Sequence, residues 1–376
     1  DRVVVDAGAT LREVLAATLP RGLAPPGLPD YLDLSVGGTL VVGGVGSAIS
    51  RFGVLTDNVL ELQLVTGRGE RLTCSPTSNP RQFDAIRAGL GQVAVVTRAT
   101  LRLVPAPRQV RRFLLSYPDL ATMLGDQRLL ASQRRFEGIQ GAVLVAPTGG
   151  WMFRLDLVKD LSGDPPDETA LLAGLSDDRA WAEPTNLPYL YYLDRLAALE
   201  RLLRSEGWWP FPHPWLTTFV GDAAVEAVAA GELAKLTPAD LGPLGQVVIS
   251  PILRESVRTP LLRLPPDPVC YTFNLIRLPA TDDAVGAGRL VTANQAIYER
   301  VRDAGGTLYP VSAFPMSAAD WRTPLRGDLR WARRGQARAR PGPRAHARLP
   351  GLPAAGGGPG QEHRGHVGGA HRTADP

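Results

Sequence analysis

The sequence contains few of the residues that build covalent or metal-bound frameworks. Its 376 residues include two cysteines, Cys74 and Cys270, and five histidines. Neither cysteine has a second cysteine nearby, so we expect two buried free thiols rather than a redox pair. No cysteine–histidine cluster has the spacing of metal ligands, and we therefore expect no metal site.

Long apolar runs are also lacking. No run could span a bilayer, and residues 1–20 lack the basic start and apolar centre of a signal peptide. We therefore expect no membrane partner. The chain starts directly on an apolar segment, Val3–Val5, and a mature domain rarely begins inside an element. We expect the natural protein to have further residues upstream.

Lysine is scarce, because only Lys159 and Lys235 stand against 39 arginines. Residues 330–376 hold nine arginines and two carboxylates, a formal charge of +7, whereas residues 1–329 hold 32 basic and 35 acidic residues, or −3. The larger part is slightly acidic, and its charge gives no argument for a nucleic-acid partner.

The segment from 330 to 376 consists almost entirely of arginine, alanine, glycine and proline, and it carries four of the five histidines. Such a composition cannot bury a core, which predicts a disordered tail. The scarcity of lysine indicates a GC-rich coding sequence. A reading-frame shift between Asp328 and Trp331 is therefore the other hypothesis for this tail.

Residues 1–107 alternate between strand and helix signals. Thr10 and Glu13 fit a capping box, in which each side chain satisfies a free N–H group at a helix start. Further elements follow from periodicity and turn residues: strands at Val3–Val5, Leu60–Leu64, Arg71–Cys74 and Val93–Val104, a hairpin turn at Gly67–Gly69, and a helix from Pro80 through Ile86.

After Pro107 the predicted segments are longer. The apolar patterns predict a sheet with helices packed against it. The predicted helices are Pro118–Arg135, Tyr189–Arg204 and Gln295–Ala304, and the predicted strands are Gly141–Ala146, Trp151–Val158, Gln246–Ile252, Val269–Leu278 and Thr307–Val311.

The most informative run extends from Asp30 to Ser47 and is rich in glycine. Glycines this dense let the backbone approach a ligand and expose N–H groups, which form anion-binding concavities suited to a pyrophosphate. Tight corners alone would look the same. The run is neither a P-loop nor a Rossmann fingerprint, since the Gly-Lys-Ser/Thr and G-x-G-x-x-G spacings are absent.

The order of the motifs around this run resembles the FAD-binding domain of vanillyl-alcohol-oxidase (PCMH-type) flavoproteins. Within that superfamily the chain is similar to the cytokinin dehydrogenases. The residues that carry this resemblance are Asp30-Tyr31-Leu32 before Val36–Leu40, Arg51-Phe52-Gly53, Asn58–Leu62, Val65-Thr66-Gly67, Leu90-Gly91-Gln92 before Val95–Ala99, and His213-Pro214-Trp215-Leu216.

The resemblance implies an α+β, two-domain fold. Residues 1–107 would form the FAD-binding domain, with its N-terminal part missing from the sequence. Residues 108–309 would form the substrate domain, an antiparallel sheet covered by helices. Residues 310–329 would return to the FAD domain, before the tail at 330–376.

The resemblance also implies a chemistry. FAD would be the cofactor, and the substrate would be an N6-substituted adenine. Asp30 would be the catalytic residue, lying over the flavin and accepting a hydrogen bond from the side-chain amine, while hydride passes from the adjacent carbon to flavin N5. The resulting imine would be hydrolysed to adenine and an aldehyde, and a quinone or oxygen would be the electron acceptor.

Further positions are carried over in the same way. Substrate contacts would come from Asp30, Gln140 and Thr217. Gln140 stands in place of a family Glu and Thr217 in place of Asn, which changes the expected preference because glutamine carries no charge. Glu137 could serve instead of Gln140 in a shifted register, although a solvated Glu137 is the simpler expectation. Cofactor contacts would come from Asp30, Ser35, Gly37, Gly38, Thr39, Val45, Val96 and Tyr309.

Two departures from the family keep other readings open. The Gly-His-Ser motif that tethers FAD covalently is absent from the sequence. Val41-Val42 also replaces the usual Ser-Asn, which removes one side-chain contact to the cofactor. The alternatives are another enzyme of this superfamily that oxidises an alcohol or sugar, and an inactive truncated product.

Overall fold

A computed structural model describes residues 1–163 and 166–316. It combines α-helices with antiparallel sheets, as expected for an α+β chain. The predicted tail at 330–376 lies outside the described residues. Of the predicted return segment, 310–329, the structure describes the part up to Met316.

The first third of the chain follows the predicted alternation of strands and helices. The capping box is confirmed, because Glu13 N–H donates to Thr10 Oγ1 and the Glu13 carboxylate accepts from Thr10 N. In chain order the elements are β1 (Arg2–Asp6), α1 (Leu11–Thr18), β2 (Leu23–Ala24), α2 (Val36–Val42), α3 (Ile49–Phe52), β3 (Val59–Thr66), β4 (Arg71–Cys74), α4 (Pro80–Ile86), β5 (Ala94–Arg102) and β6 (Val104–Pro105).

Four of these strands form an antiparallel sheet in the order β1-β5-β3-β4. Its buried face holds alternate residues of the strands, such as Leu62, Leu64 and Leu101. Helices α1 and α2 bring Leu11 and Leu40 onto this face, and both side chains are fully buried. This core positions the segment between β2 and α2, which contains Asp30.

The elements after Pro107 build a larger unit. In chain order they are β7 (Gln109–Tyr117), α5 (Leu120–Gln133), β8 (Gly138–Val145), β9 (Trp151–Leu161), α6 (Glu168–Leu171), β10 (Glu183–Pro188), α7 (Tyr189–Leu193), α8 (Arg195–Ser205), β11 (Leu216–Gly221), α9 (Asp222–Leu233), α10 (Pro238–Leu241), β12 (Gln246–Leu253), β13 (Val269–Ile276), α11 (Ala284–Asp303) and β14 (Thr307–Leu308).

Eight of these strands form one antiparallel sheet in the order β10-β7-β9-β8-β12-β13-β11-β14. Helices α5, α9 and α11 pack on it, and the core between them includes Phe273, Val225 and Ile297. The predicted antiparallel sheet with helices against it is confirmed. A smaller cluster, including Ile49, Phe219 and Tyr309, joins this sheet to the glycine-rich segment.

Some predicted elements were wrong or were missed. The helix within the glycine-rich run, Val36–Val42, was not predicted, and Ser35 caps it by accepting from Gly38 N–H at 3.2 Å. The strand predicted over Val93–Val104 breaks at Leu103. Strands β7 and β11 and helix α9 were not predicted. Among the described helices, none combines the length and apolar character needed to cross a membrane.

Candidate active site

The predicted catalytic residue Asp30 follows a proline-rich segment, Pro25–Pro29, and its side chain is 27% exposed. Its Oδ1 accepts a hydrogen bond from Arg195 Nη2 at 2.6 Å and another from the backbone N–H of Ser47 at 3.3 Å. The carboxylate is therefore held from two sides by parts of the chain that are distant in sequence.

Arg195 is the centre of this arrangement. It begins α8, its side chain is 16% exposed, and Nη2 also donates to Ser47 Oγ and to Gln140 Oε1, both at 3.3 Å. The structure thus brings together Asp30 and Gln140, two of the three predicted substrate residues. We call Asp30, Ser47, Gln140, Tyr192 and Arg195 the Arg195 cluster.

Tyr192 stacks against the guanidinium of Arg195. Arg195 Cζ lies 4.5 Å from the centroid of the Tyr192 ring, and Arg195 Nη1 donates to the Tyr192 carbonyl at 3.2 Å. The Tyr192 hydroxyl lies 3.0 Å from Ser47 Oγ. Burial raises the pKa of Tyr192, so the phenol stays neutral and serves as a cation–π platform.

A cavity of about 50 Å³ adjoins the cluster. Asp30 and Arg195 line one part of it, and Glu137, Asp160 and Tyr189 line another. Charged groups of both signs therefore line one small cleft, which is a candidate functional site.

Glu137 differs from the expectation of a solvated side chain, which was wrong. Its side chain is 9% exposed, and it forms ion pairs with Arg51 and, at 3.2 Å, with Lys159. It also accepts from the backbone N–H of Asp160 at 2.8 Å. Because these donors occupy both carboxylate oxygens, Glu137 is a structural anion and not a substitute for Gln140.

Asp160 lies on the wall of this cavity, and its pKa is raised. Burial and then the charge of Glu137 raise its pKa to about 6, against the opposing effect of Arg51 and Lys159. Tyr189 packs close to it, and burial raises the Tyr189 pKa in turn. Asp160 therefore changes charge in the physiological range of pH.

Replacing Asp160 by asparagine should stabilise the protein above pH 6. A carboxyl group whose pKa is raised in the folded state destabilises the fold as it loses its proton. For Asp160 this occurs as the pH rises from 3.8, the ordinary pKa of the group, to about 6, its pKa in the folded protein. Since the group is partly exposed, we expect a gain of about 1–2 kcal/mol at pH 8, and none below pH 4. Urea unfolding of both proteins from pH 4 to 8 measures this difference, and a gain independent of pH would contradict it.

The predicted cofactor residues of helix α2 have partners within the protein. The backbone N–H of Gly37 donates to Ala7 O at 2.8 Å, and that of Gly38 donates to Ser35 Oγ. Thr39 is buried, and its hydroxyl donates to Ser35 O at 2.9 Å. In this structure these groups stabilise the helix start and its contact with the strand edge at Ala7.

Val45 and Tyr309 form the arrangement that best fits the cofactor. Burial raises the pKa of the Tyr309 phenol, and the nearby backbone N–H groups of Gly44 and Val45 oppose part of this rise. Successive backbone N–H groups in a glycine-rich turn form an anion-binding concavity. These N–H groups would hold a phosphate or flavin oxygen of FAD.

Two other predicted residues lie apart from the Arg195 cluster. Val96 is buried in the core under the first sheet, together with Val36 and Leu40. Thr217 lies on β11, where its carbonyl accepts from Tyr309 N–H at 3.1 Å and from the Ser312 hydroxyl at 3.0 Å. Among the described residues no hydrogen bond links Thr217 to Asp30, so it belongs with Tyr309.

The sequence interpretation missed Arg195, Tyr192, Ser47 and Asp160. Tyr192 ends a tyrosine-rich stretch, Tyr189–Tyr192, in a predicted helix, and Arg195 follows it three residues later. This stretch was the available signal. An arginine one helical turn after an aromatic residue can stack on it, and a buried arginine needs a carboxylate partner.

Two family models match the chain. A FAD binding domain model matches residues 1–75, and a model described as "Cytokinin dehydrogenase 1, FAD and cytokinin binding" matches residues 167–344. The matched ranges include Asp30 and Arg195, the two ends of the 2.6 Å contact.

Curated relatives agree with these models. The chain is 39% identical over 323 residues to an uncharacterized oxidoreductase, ORF5 in the fasciation locus of Rhodococcoides fascians, covering 86% of this chain and 73% of that protein. It is 32% identical to cytokinin dehydrogenase 10 of Oryza sativa subsp. japonica, over 92% of this chain and 70% of the relative. Against cytokinin dehydrogenase 6 of the same rice, 34% identity covers 67% of the chain and 55% of the relative.

Among solved structures, 6-hydroxy-D-nicotine oxidase from Arthrobacter nicotinovorans has a TM-score of 0.64 to this chain at 19% identity, covering 90% of this chain and 75% of that one. This similarity shows the fold alone, and the FAD binding domain model that matches residues 1–75 agrees with it. The relatives and the family models together carry the assignment further: the chain belongs to the cytokinin dehydrogenase family.

Proposed function

We propose that this chain is the greater part of a FAD-dependent enzyme that oxidises the N6 side chain of cytokinins. One observation carries the proposal: a carboxylate, Asp30, lies at the wall of a charged cavity and contacts the same Arg195 guanidinium as Gln140. The family resemblance assigns the catalytic role to Asp30, and the contacts of this structure give its carboxylate a fixed orientation.

The chain's own residues would handle one proton. The Asp30 carboxylate accepts a hydrogen bond from the substrate amine and takes up its proton as the C=N bond forms. Bound FAD supplies the acceptor for the hydride that leaves the adjacent carbon. Water then adds to the imine, and the C–N bond breaks to give adenine and an aldehyde, while a quinone or oxygen is the terminal electron acceptor.

Gln140 would set the preference among N6-substituted adenines. A glutamine can form a hydrogen bond with a purine ring but cannot supply the negative charge that a glutamate brings. Arg195 adds a positive charge at the same position. We therefore expect a smaller preference for cationic over neutral substrates than a glutamate at residue 140 would give.

A second candidate is oxidation of an alcohol or a sugar. The neutral Gln140 and the Thr217 hydroxyl favour this reading, since both differ from the residues usual in cytokinin dehydrogenases. Asp30 favours the amine, because its carboxylate forms an ion pair with Arg195 and can accept a hydrogen bond from an amine N–H. The third reading, an inactive product, predicts a protein that binds no flavin.

Visible absorption distinguishes the three readings. The protein is purified both as this chain and as a version extended upstream. We expect the extended version to be yellow and to bleach when isopentenyladenine is added. Bleaching with polyols alone would establish the second candidate. An extended protein that stays colourless after addition of FAD would contradict both enzymatic readings.

A further inference from the structure

We propose that Arg195 is a positioning residue that holds Asp30 by one oxygen and presents the other to the substrate, and that it also turns the Gln140 amide so that its NH₂ group faces the ligand. This inference rests on the proposed function for the identity of the substrate. The contacts themselves are independent of it.

The two oxygens of Asp30 have unequal surroundings. Oδ1 accepts from Arg195 Nη2 at 2.6 Å and from Ser47 N–H at 3.3 Å. Within residues 1–163 and 166–316, no hydrogen bond to Oδ2 is present. A carboxylate oxygen with two donors has little remaining capacity, so Oδ2 is the acceptor available to the substrate amine.

Arg195 is itself fixed from several directions. Tyr192 provides the ring face and a carbonyl acceptor for the guanidinium. The negative charge of Asp156, which is itself paired with Arg112 at 2.7 and 2.9 Å, also attracts it. A guanidinium held by a ring, a carbonyl and a second charge pair has little rotational freedom, and it can therefore fix its partners.

The Arg195 guanidinium also sets the orientation of the Gln140 amide. Its Oε1 accepts from Arg195 Nη2 at 3.3 Å, so the amide NH₂ is the end away from the guanidinium. No hydrogen bond from this NH₂ is present within the part of the chain that the structure describes. An amide NH₂ donates hydrogen bonds and cannot accept them. The site would therefore recognise a ring nitrogen with a lone pair, an acceptor, at the position where a glutamate would recognise an N–H donor.

Lysine would be a poor substitute for Arg195. One Nη2 atom serves Asp30, Ser47 and Gln140 while Nη1 serves the Tyr192 carbonyl, and this planar arrangement needs a guanidinium. A lysine ammonium keeps the charge but loses the planar stacking on Tyr192. The conservative variant therefore separates the effect of charge from the effect of position.

A double-mutant cycle tests the proposal. Arg195→Gln should lower kcat about 10²-fold, as a displaced reacting group does, with a much smaller change in KM. Arg195→Lys should recover only part of this loss. In an Asp30→Asn background, Arg195→Gln should have almost no further effect on kcat, because the group that it positions is already gone. Arg201→Gln, at an exposed position of the same helix, is the matched control and should match the wild type.

The outcomes separate this inference from the proposed function. If the fold-losses in kcat of Asp30→Asn and Arg195→Gln multiply in the double variant, Arg195 does not position Asp30. This result would overturn the inference even if the protein oxidises cytokinins. If none of the cytokinins tested bleaches the flavin of the wild-type protein, the proposed function fails. The four proteins of the cycle (wild type, Arg195→Gln, Asp30→Asn and the double variant) are then compared by thermal unfolding. Additive shifts of Tm would then show that Arg195 does not hold Asp30, whereas a double variant less destabilised than the sum supports the pair.

Discussion

Replacing Asp30 with asparagine should lower kcat about 10³-fold, because a positioned base that takes up a proton contributes on this order. Asparagine keeps the shape of the side chain and can still accept from Arg195 and Ser47. It cannot take up the amine proton, however, and its amide is a weak acceptor. The substitution therefore removes the chemistry and leaves the surroundings of residue 30 nearly unchanged.

Rapid-mixing measurement of flavin bleaching isolates this step from reoxidation by the electron acceptor. Asp33→Asn is the matched control, since Asp33 lies in the same segment and pairs with Arg12 at 2.6 Å, away from the cavity. The control should bleach at the rate of the wild type. An Asp30→Asn protein within tenfold of the wild-type rate would show that another group accepts the proton.

The elements that could be predicted from the sequence are those with local causes. The helix at Leu11 begins where Thr10 and Glu13 exchange hydrogen bonds, and the hairpin at β3–β4 has its turn residues between alternating apolar residues. Such signals depend on neighbours within a few positions, and the sequence shows them directly.

The missed elements owe their structure to distant partners. Strand β7 carries Arg111 and Arg112 before its alternating buried residues, Phe113, Leu115 and Tyr117, and the two arginines obscure that alternation. Arg112 is accommodated because it pairs with Asp156 on β9. Strand β11 is buried on both faces, so its residues show no alternation at all.

Helix α2 shows the same limit. Two glycines in seven residues disfavour a helix, but Gly37 is needed there, because a Cβ at this position would lie 2.8 Å from Ala7 Cβ. The close approach of the helix to the strand edge explains the glycine. A single sequence shows the glycine but not the surface against which it packs.

The candidate site divides in a similar way. Asp30 and Gln140 were assigned by resemblance to a family, and the structure brings them together through Arg195, which no local pattern marks. The contact depends on the packing of α8 over the segment after β2. Charge partners separated by this much sequence become visible only when the fold is known.

Gly46→Ala should disrupt the Arg195 cluster, although residue 46 is not one of its members. A Cβ at residue 46 would lie 2.0 Å from the carbonyl oxygen of Leu28, an impossible separation that one of the two backbone segments must relieve by moving. Leu28 lies two residues before Asp30, and Ser47, which donates to Asp30 Oδ1, directly follows Gly46. Either movement shifts the carboxylate relative to its anchors.

We expect kcat to fall about 10²-fold, as for a displacement near 1 Å, and the free energy of unfolding to fall by about 1–3 kcal/mol. Gly231→Ala is the matched control: residue 231 lies in α9 with open space around it, so alanine should raise stability by about 0.5–1 kcal/mol at unchanged activity. Flavin bleaching kinetics and urea unfolding measure both effects. A Gly46→Ala protein with wild-type kinetics would mean that the approach of Gly46 to Leu28 does not position Asp30.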